Sequence, residues 1–116
     1  MSRPAQEVLA DHLDRRAVGD IEGDLATNYA PDVVLLCEHG AFEGREAVRN
    51  SAEQLAQQLP KARQEIICQV CRDNYALVIW RAEADGIRAE HGADSFVIRD
   101  GRIVMQSVFY QLREKH

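Results

Sequence analysis

The sequence lacks the features that would place it in a specialised class of protein. It has no run of lysine or arginine, and its 116 residues carry a formal net charge of -5. Because a phosphate backbone needs a basic face, we expect no nucleic acid partner. No apolar segment is long enough to span a bilayer, and no apolar signal-peptide core lies near the start. We therefore expect a cytoplasmic protein that does not associate with a membrane.

Cysteine is scarce, and its spacing is misleading. Three cysteines cannot all pair within one chain, which favours reduced thiols. Cys68 and Cys71 form a C-x-x-C motif, but they lie in a predicted strand, where positions three apart point to opposite faces. The two thiols therefore cannot meet, and we expect no metal site and no cofactor.

The composition that remains is typical of a globular domain. Hydrophobic residues make up 46% of the chain and charged residues 28%. A chain of this length buries roughly two-thirds of the surface that its unfolded form exposes, so it can hold a core without disulfides. No repeat, low-complexity segment or linker divides it, and we expect one domain over residues 1–116.

Helical periodicity occupies the first half of the chain. Apolar residues recur at helical spacing over Ala5–Ala17, and His12 falls on the same stripe. A shorter helix is predicted over residues 21–29, stopped by Pro31. A third helix is predicted between residues 44 and 60, because a glycine and a proline bound an apolar stripe there.

Strand signals fill the rest of the chain. Helices followed by consecutive hairpins predict an α+β fold with a largely antiparallel sheet. Short Asp-Asn and Asp-Gly turns separate the last four strands. The predicted strands are residues 32–37, 64–72, 75–84, 87–98 and 102–112, with a loop at Glu38-His39-Gly40 after the first.

Two registers compete for the Asp-Gly hairpins on either side of Asp94. A two-residue loop would pair Asp94 with Ser107 and with Leu77. A three-residue loop with a glycine bulge would instead pair it with Gln106 and Ala76. We favour the second register, because it gathers Asp94 and the aromatic side chains on one inner face. That face would carry Val78, Trp80, Ala82, Gly92, Asp94, Phe96, Ile98, Val104, Gln106, Val108 and Tyr110.

The opposite face of the sheet is also apolar. Three helices can cover only one face, so the second apolar face predicts a partner surface. We therefore expect a homodimer that packs sheet to sheet. The residues of this outer face would be Leu77, Ile79, Val97, Ile103, Met105 and Phe109.

Four short motifs carry a family resemblance. They are Val18-Gly19-Asp20-Ile21-Glu22, Tyr29-Ala30-Pro31-Asp32, Gly44-Arg45-Glu46, and Asp94 followed by Gly101-Arg102-Ile103. Together they resemble the SnoaL-like and ketosteroid isomerase-like branch of the nuclear transport factor 2-like superfamily, over nearly the whole chain. The resemblance implies a curved sheet wrapped around N-terminal helices (a cystatin-like α+β barrel) with a conical apolar cavity, usually in dimers. This scaffold hosts isomerases, cyclases, hydrolases, dehydratases and non-enzymatic binders.

The resemblance also implies roles for individual residues. Steroid isomerases of this family use an aspartate as general base, with a tyrosine and a protonated aspartic acid as hydrogen-bond donors. By position, the acid corresponds to Asp94, the donor tyrosine to His12, and the base to Cys37, with Glu38 beside it. The family's pocket tyrosine and pocket tryptophan correspond to Tyr29 and Tyr110.

These observations predict a small-molecule pocket around Asp94. Burial among apolar side chains raises a carboxyl pKa, which would keep Asp94 protonated and able to donate. With His12 and Glu38 it would transfer protons on a small apolar carbonyl compound, by isomerisation, cyclisation or dehydration. The alternative is a non-catalytic ligand-binding or dimerisation module, which the lost base favours. The expected lining residues are Tyr29, Cys37, Trp80, Phe96, Gln106, Val108 and Tyr110.

Each candidate residue also has a structural interpretation. A buried aspartate can serve only to tie neighbouring residues together, and His12 can be a core histidine satisfied by one hydrogen bond. Cys37 is a nucleophile only if a nearby base lowers its pKa. Epoxide hydrolysis, which in another branch of the superfamily uses an Asp-Arg-Asp arrangement around a water, would need a second inward aspartate, and the sequence does not identify one.

Overall fold

The computed structural model describes residues 2–115, in which three helices pack on one face of a six-stranded sheet. The predicted α+β class is confirmed. The helices are α1 (Ala5–Ala17), α2 (Ile21–Asn28) and α3 (Arg45–Gln58). The strands are β1 (Tyr29–Cys37), β2 (Gly40–Glu43), β3 (Arg63–Arg72), β4 (Tyr75–Ala84), β5 (Ile87–Arg99) and β6 (Arg102–Glu114).

The sheet is curved and open, with strand order β2-β1-β6-β5-β4-β3. All neighbouring strands are antiparallel except β1 and β6, which are parallel. β2 and β3 are therefore the free edges, and the strands do not close into a barrel. Helix α1 contacts β3, β4, β5 and β6, so it lies across the concave face. No helix within residues 2–115 is long and apolar enough to cross a membrane.

The chain between α2 and α3 differs from the prediction. α2 ends at Asn28 and Tyr29 begins β1, so Pro31 lies inside a strand and does not stop the helix. Proline cannot donate to a strand ladder, and the pairing of β1 with β6 is irregular between Tyr29 and Val34, where Pro31 falls. β2 was not predicted; it is four exposed residues that pair only with β1.

The hairpin between β5 and β6 starts with the two-residue loop that we did not favour. Asp100 and Gly101 form the loop, with φ of 52° and 75°, as a type I′ turn requires. Beyond the turn, Val104 is the extra residue of a bulge that shifts the register by one. Asp94 therefore pairs with Val108.

The hairpin between β4 and β5 shifts its register in a similar way, although only the second residue of its loop, Gly86, has a positive φ. It also starts with a two-residue loop, and an irregularity that includes His91, at φ 56°, shifts the register so that Asp94 pairs with Val78. The predicted partners Gln106 and Ala76 are therefore wrong, each by two residues. Because side chains alternate with period two, an error of two residues leaves the side chains that surround Asp94 on their predicted faces. The inner face is thus confirmed around Asp94.

One pair of residues departs from the predicted faces. Ile103 pairs directly with Ile98 and is fully buried in the core, although we had assigned it to the outer face. Val104, assigned to the inner face, lies outside the core cluster. The bulge at Val104 is the cause. Its extra residue moves the side chains of β6 between the turn and the bulge to the opposite face of the sheet from the one predicted.

The C-x-x-C motif behaves as expected for a strand. Cys71 pairs with Ala76 of the core, whereas Cys68 pairs with Ile79 on the opposite face. All three cysteines are free thiols.

Candidate active site

An inner cavity of about 60 Å³ lies between the concave face of the sheet and helices α1 and α3. Two polar side chains of α1, His12 and Arg16, face Asp94 of β5 across it. The rest of the wall is largely apolar, which is the usual character of a small-molecule site. Of the residues predicted to line the pocket, the cavity includes Trp80, Phe96, Gln106, Val108 and Tyr110.

The Asp94 carboxyl group is held by two donors from neighbouring strands. Trp80 Nε1 donates to Oδ1 at 3.1 Å, and Gln106 Nε2 donates to Oδ2 at 3.2 Å. Burial raises the pKa of Asp94 above its ordinary value, and these donors offset that rise only in part. A carboxyl with a raised pKa can remain protonated and donate its own O–H to a ligand.

Tyr29 supports this arrangement from behind the cavity wall. Its hydroxyl donates to Gln106 Oε1, which turns the amide nitrogen of Gln106 toward Asp94. Arg16 Nη2 approaches the same hydroxyl at 3.4 Å. Tyr29 is fully buried, and burial raises its pKa, so its O–H remains a donor at neutral pH. Tyr29 therefore positions Gln106 and does not itself form the wall.

The hydrogen-bond partner of His12 is Asp24, a residue that sequence reasoning missed. His12 Nδ1 lies 2.8 Å from Asp24 Oδ2, and both side chains are buried. The rings of Tyr29 and Phe96 contact the imidazole edge-on, at centroid distances of 5.8 and 5.3 Å. These contacts fix the plane of the ring. No hydrogen bond joins His12 directly to Asp94 in the described part of the chain.

Asp24 is ionised in this environment. Burial would raise its pKa, but hydrogen bonds from His12, Asn28 and Arg16 outweigh burial and hold the pKa below its ordinary value. An ionised carboxylate can only accept, so the Nδ1 atom of His12 carries the proton. In a neutral imidazole, Nε2 then presents a lone pair. Nε2 has no hydrogen-bond partner among the described residues and is not one of their enclosed unpartnered atoms, so it is accessible from the cavity.

The signal for Asp24 was present in the sequence. Ile21, Asp24, Leu25 and Asn28 recur at i, i+3, i+4 and i+7, so the polar pair shares the buried face of α2 with the apolar pair. Two polar residues on such a face need partners. The apolar stripe of Ile21 and Leu25, taken alone, does not show that Asp24 and Asn28 lie on the same buried face.

Glu38 and Cys37 lie outside the inner cavity. They line an outer pocket of about 510 Å³ together with His39. Glu38 is exposed, and its carboxylate is 3.7 Å from the imidazole of His39. The structure thus places His12 and Asp94 in the same cavity, whereas Glu38 lies in the neighbouring outer pocket.

The same geometry bears on metal binding and on hydrolysis. Residues 2–115 contain no group of three or more histidine, cysteine or acidic side chains that could hold a metal ion. Asp24 supplies a second inward aspartate beside Arg16, but it is fully enclosed and its oxygens are occupied by protein donors. It therefore cannot hold a water against a ligand in an Asp-Arg-Asp arrangement.

Known proteins match this fold. The family profile described as SnoaL-like domain matches residues 9–106, which include His12, Asp24 and Asp94. No curated protein matches the sequence. The span shared with the family contains every polar residue of the inner cavity except Tyr110.

Solved structures show the same fold at low sequence identity. A Kribbella flavida protein is 18% identical with a TM-score of 0.77, over 95% of this chain and 88% of that one. A putative polyketide cyclase from Sinorhizobium meliloti is 20% identical with a TM-score of 0.71, over 89% and 94%. TerC, co-crystallised with polyporic acid, is 16% identical with a TM-score of 0.74, over 94% and 92%. Since the family profile covers most of the sequence, the chain belongs to the SnoaL-like family of the nuclear transport factor 2-like superfamily.

Proposed function

We propose that this protein catalyses proton transfer at a carbon next to a carbonyl group, in a small and largely apolar compound. One observation carries the proposal. The inner cavity holds a histidine bonded to an ionised carboxylate and, facing it, a second carboxyl whose pKa is shifted in the opposite direction. A histidine oriented by a carboxylate can accept a proton, and a protonated carboxyl facing it can donate to a carbonyl oxygen, so the cavity holds both partners that this proton transfer needs.

His12 is the proposed base. Nε2 removes the proton from the carbon next to the carbonyl, and the imidazolium that results is stabilised by Asp24 through Nδ1. This arrangement supplies a base from α1, so the cysteine at the position of the family's aspartate base does not prevent proton transfer. Arg16 stabilises the charge of Asp24 at 2.7 Å. Glu38, exposed in the outer pocket, has no required role.

Asp94 is the proposed donor to the carbonyl oxygen. As the proton leaves the carbon, negative charge develops on that oxygen, and a neutral Asp94 donates its O–H there. Trp80 and Gln106 keep the carboxyl group in place. If His12 then returns the proton to a different carbon, the outcome is isomerisation. If the enolate attacks a carbonyl group or expels a leaving group, the outcome is cyclisation or dehydration.

Hydrogen exchange tests this proposal without knowledge of the natural substrate. Ketones from butan-2-one to 4-phenylbutan-2-one are incubated in D₂O, and the loss of their α-hydrogen signals is followed by proton NMR. We expect the protein to accelerate this loss above the buffer rate. His12→Asn keeps an amide donor for Asp24 but removes the base, and should abolish the acceleration.

Asp94→Asn should reduce the exchange rate by about 100-fold, since the loss of one oxyanion donor has an effect of this size. Asp32→Asn, at an exposed position of β1, is the matched control and should retain the full rate. The proposal fails if the protein does not exceed the buffer rate with any ketone of the series, or if both cavity variants exchange at the normal rate.

The second candidate is a non-catalytic binding module of the same family. It is favoured by the small volume of the inner cavity and by the replacement of the family's base with Cys37. The same samples discriminate the two, because such a module binds the ketones without exchanging their hydrogens.

A further inference from the structure

The inner cavity is too small for most ligands. Its volume of about 60 Å³ is less than half of the roughly 150 Å³ of an engineered protein cavity that binds benzene. It therefore accommodates a carbonyl group with its neighbouring carbons, and no complete aromatic ring. Binding sites for small molecules usually measure about 300–1,000 Å³, so a ligand of ordinary size must extend beyond this cavity.

The outer pocket, here called the outer chamber, offers that space. It measures about 510 Å³ and adjoins the inner cavity, with which it shares Ser51, Val108 and Tyr110 as walls. Its character differs, because hydrogen-bonding side chains dominate where the inner cavity is mostly apolar. They are Glu38, His39, Gln54, Gln58, Gln111 and Arg113.

Tyr110 stands at the boundary between the two spaces. Its hydroxyl donates to Gln58 Oε1, a bond that joins β6 to α3. Its ring lies 5.6 Å from the Trp80 indole, measured between centroids, so it also covers the side chain that binds Asp94. Because Tyr110 lines both spaces, a ligand that enters from the outer chamber meets its ring, and displacing that ring breaks the bond to Gln58.

We propose that the site is bipartite and that Tyr110 and Gln58 form a gate between its halves. The ligand class is a ketone or aldehyde whose compact carbonyl end enters the inner cavity while a larger, hydrogen-bonding part occupies the outer chamber. The assignment of a carbonyl end to the inner cavity depends on the proposed function, whereas the gate depends only on the geometry of Tyr110 and Gln58. Tyr110 and Gln58 are then specificity-determining residues, since they decide what reaches Asp94 and His12.

The gate is tested through Trp80, the only tryptophan of the chain, which is 2% exposed. Acrylamide quenching of its fluorescence measures how often the cavity opens. Tyr110→Phe and Gln58→Met each remove the bond at nearly constant volume, and each should raise the quenching constant by about twofold or more. The double variant should show no further increase. Gln57→Met, at the exposed glutamine next to Gln58 on α3, is the control and should leave quenching unchanged.

The bipartite ligand is tested by titrating Trp80 fluorescence with three ketones. Butan-2-one offers only the compact end, 4-phenylbutan-2-one adds a ring, and 4-(4-hydroxyphenyl)butan-2-one adds a hydrogen-bonding group. We expect affinity to rise along this series, by about tenfold or more overall. Gln54→Ala in the outer chamber should weaken the phenol and leave butan-2-one unchanged.

The outcomes separate this inference from the proposed function. Equal affinity for the three ketones, or wild-type quenching in both gate variants, overturns the bipartite site whatever the protein does to α-hydrogens. Rising affinity without any hydrogen exchange overturns the catalytic proposal and supports the bipartite site.

Discussion

Two aspartates near one cavity respond to burial in opposite ways. At Asp24, three side-chain donors outweigh burial, so the pKa lies below its ordinary value. At Asp94, burial outweighs the hydrogen bonds from Trp80 and Gln106, which are both neutral donors. The pKa of Asp94 therefore lies above its ordinary value. Asp24 has charged Arg16 in direct contact, and Asp94 has no such contact. His12, with Asn28 and Arg16, thus separates an ionised carboxylate at Asp24 from a carboxyl at Asp94 that can carry a proton.

The raised pKa of Asp94 predicts a pH dependence of stability. Between the unfolded value of 3.8 and the higher folded value, the unfolded state releases its proton before the folded state does. Stability therefore falls as pH rises through that window and is constant above it. The asparagine of Asp94→Asn cannot titrate. The free energy of unfolding of this variant should therefore increase relative to that of the wild type as pH rises through the window.

Urea denaturation of the two proteins from pH 3.5 to 8 measures this difference, in which contributions from all other groups cancel. Parallel curves for the wild type and Asp94→Asn would contradict the assigned shift.

At the scale of elements, β5 is built around the indole of Trp80. A Cβ atom on Gly92 would lie 2.4 Å from the indole ring and 2.7 Å from the backbone oxygen of Trp80. Only glycine at this position lets the indole lie flat against β5, where its N–H reaches Asp94. The strand thus places a residue without a side chain two positions before Asp94.

Gly92→Ala should destabilise the protein by about 1–3 kcal/mol, because the added methyl group overpacks a buried contact. It should also displace the indole and change the emission of Trp80. Chemical denaturation and fluorescence spectra measure both effects. Ala93→Ser, at the next position and on the opposite face, should stay within about 0.5 kcal/mol of the wild type. A variant as stable as the wild type, with unchanged emission, would refute the role of Gly92.

At the scale of the whole molecule, the outer sheet face is a largely apolar surface that no other part of residues 2–115 covers. Cross-strand rows run through Val34, Met105, Val97 and Tyr75, and through Leu36, Ser107, Ser95, Leu77 and Val70. Five of these residues are exposed apolar side chains: Val34, Leu36, Val70, Tyr75 and Leu77. Several exposed apolar side chains on one face of a sheet are typical of an interface.

We therefore propose a homodimer that packs through this face, as the sequence also predicts. Sedimentation at micromolar concentration should give about twice the mass of one chain, 13.1 kDa. Leu77→Glu should shift the protein to the monomer, since it places a charge within the apolar rows. Val18→Glu is the control, because Val18 is 80% exposed and lies outside the sheet. A wild-type protein that sediments as a monomer would exclude this dimer.

Local periodicity was enough to predict α1, the extent of β4 and the face on which Asp94 lies. These features depend on spacings of two or about 3.6 residues, and a two-residue error of register does not change a face. The tertiary structure decided the rest. The bulges at Val104 and His91, the partnership of His12 with Asp24, and the contact of Tyr110 with Trp80 and Gln58 depend on how segments distant in the sequence pack. Local sequence patterns do not encode these contacts, because the curvature of the sheet and the helices packed across it determine which distant residues meet.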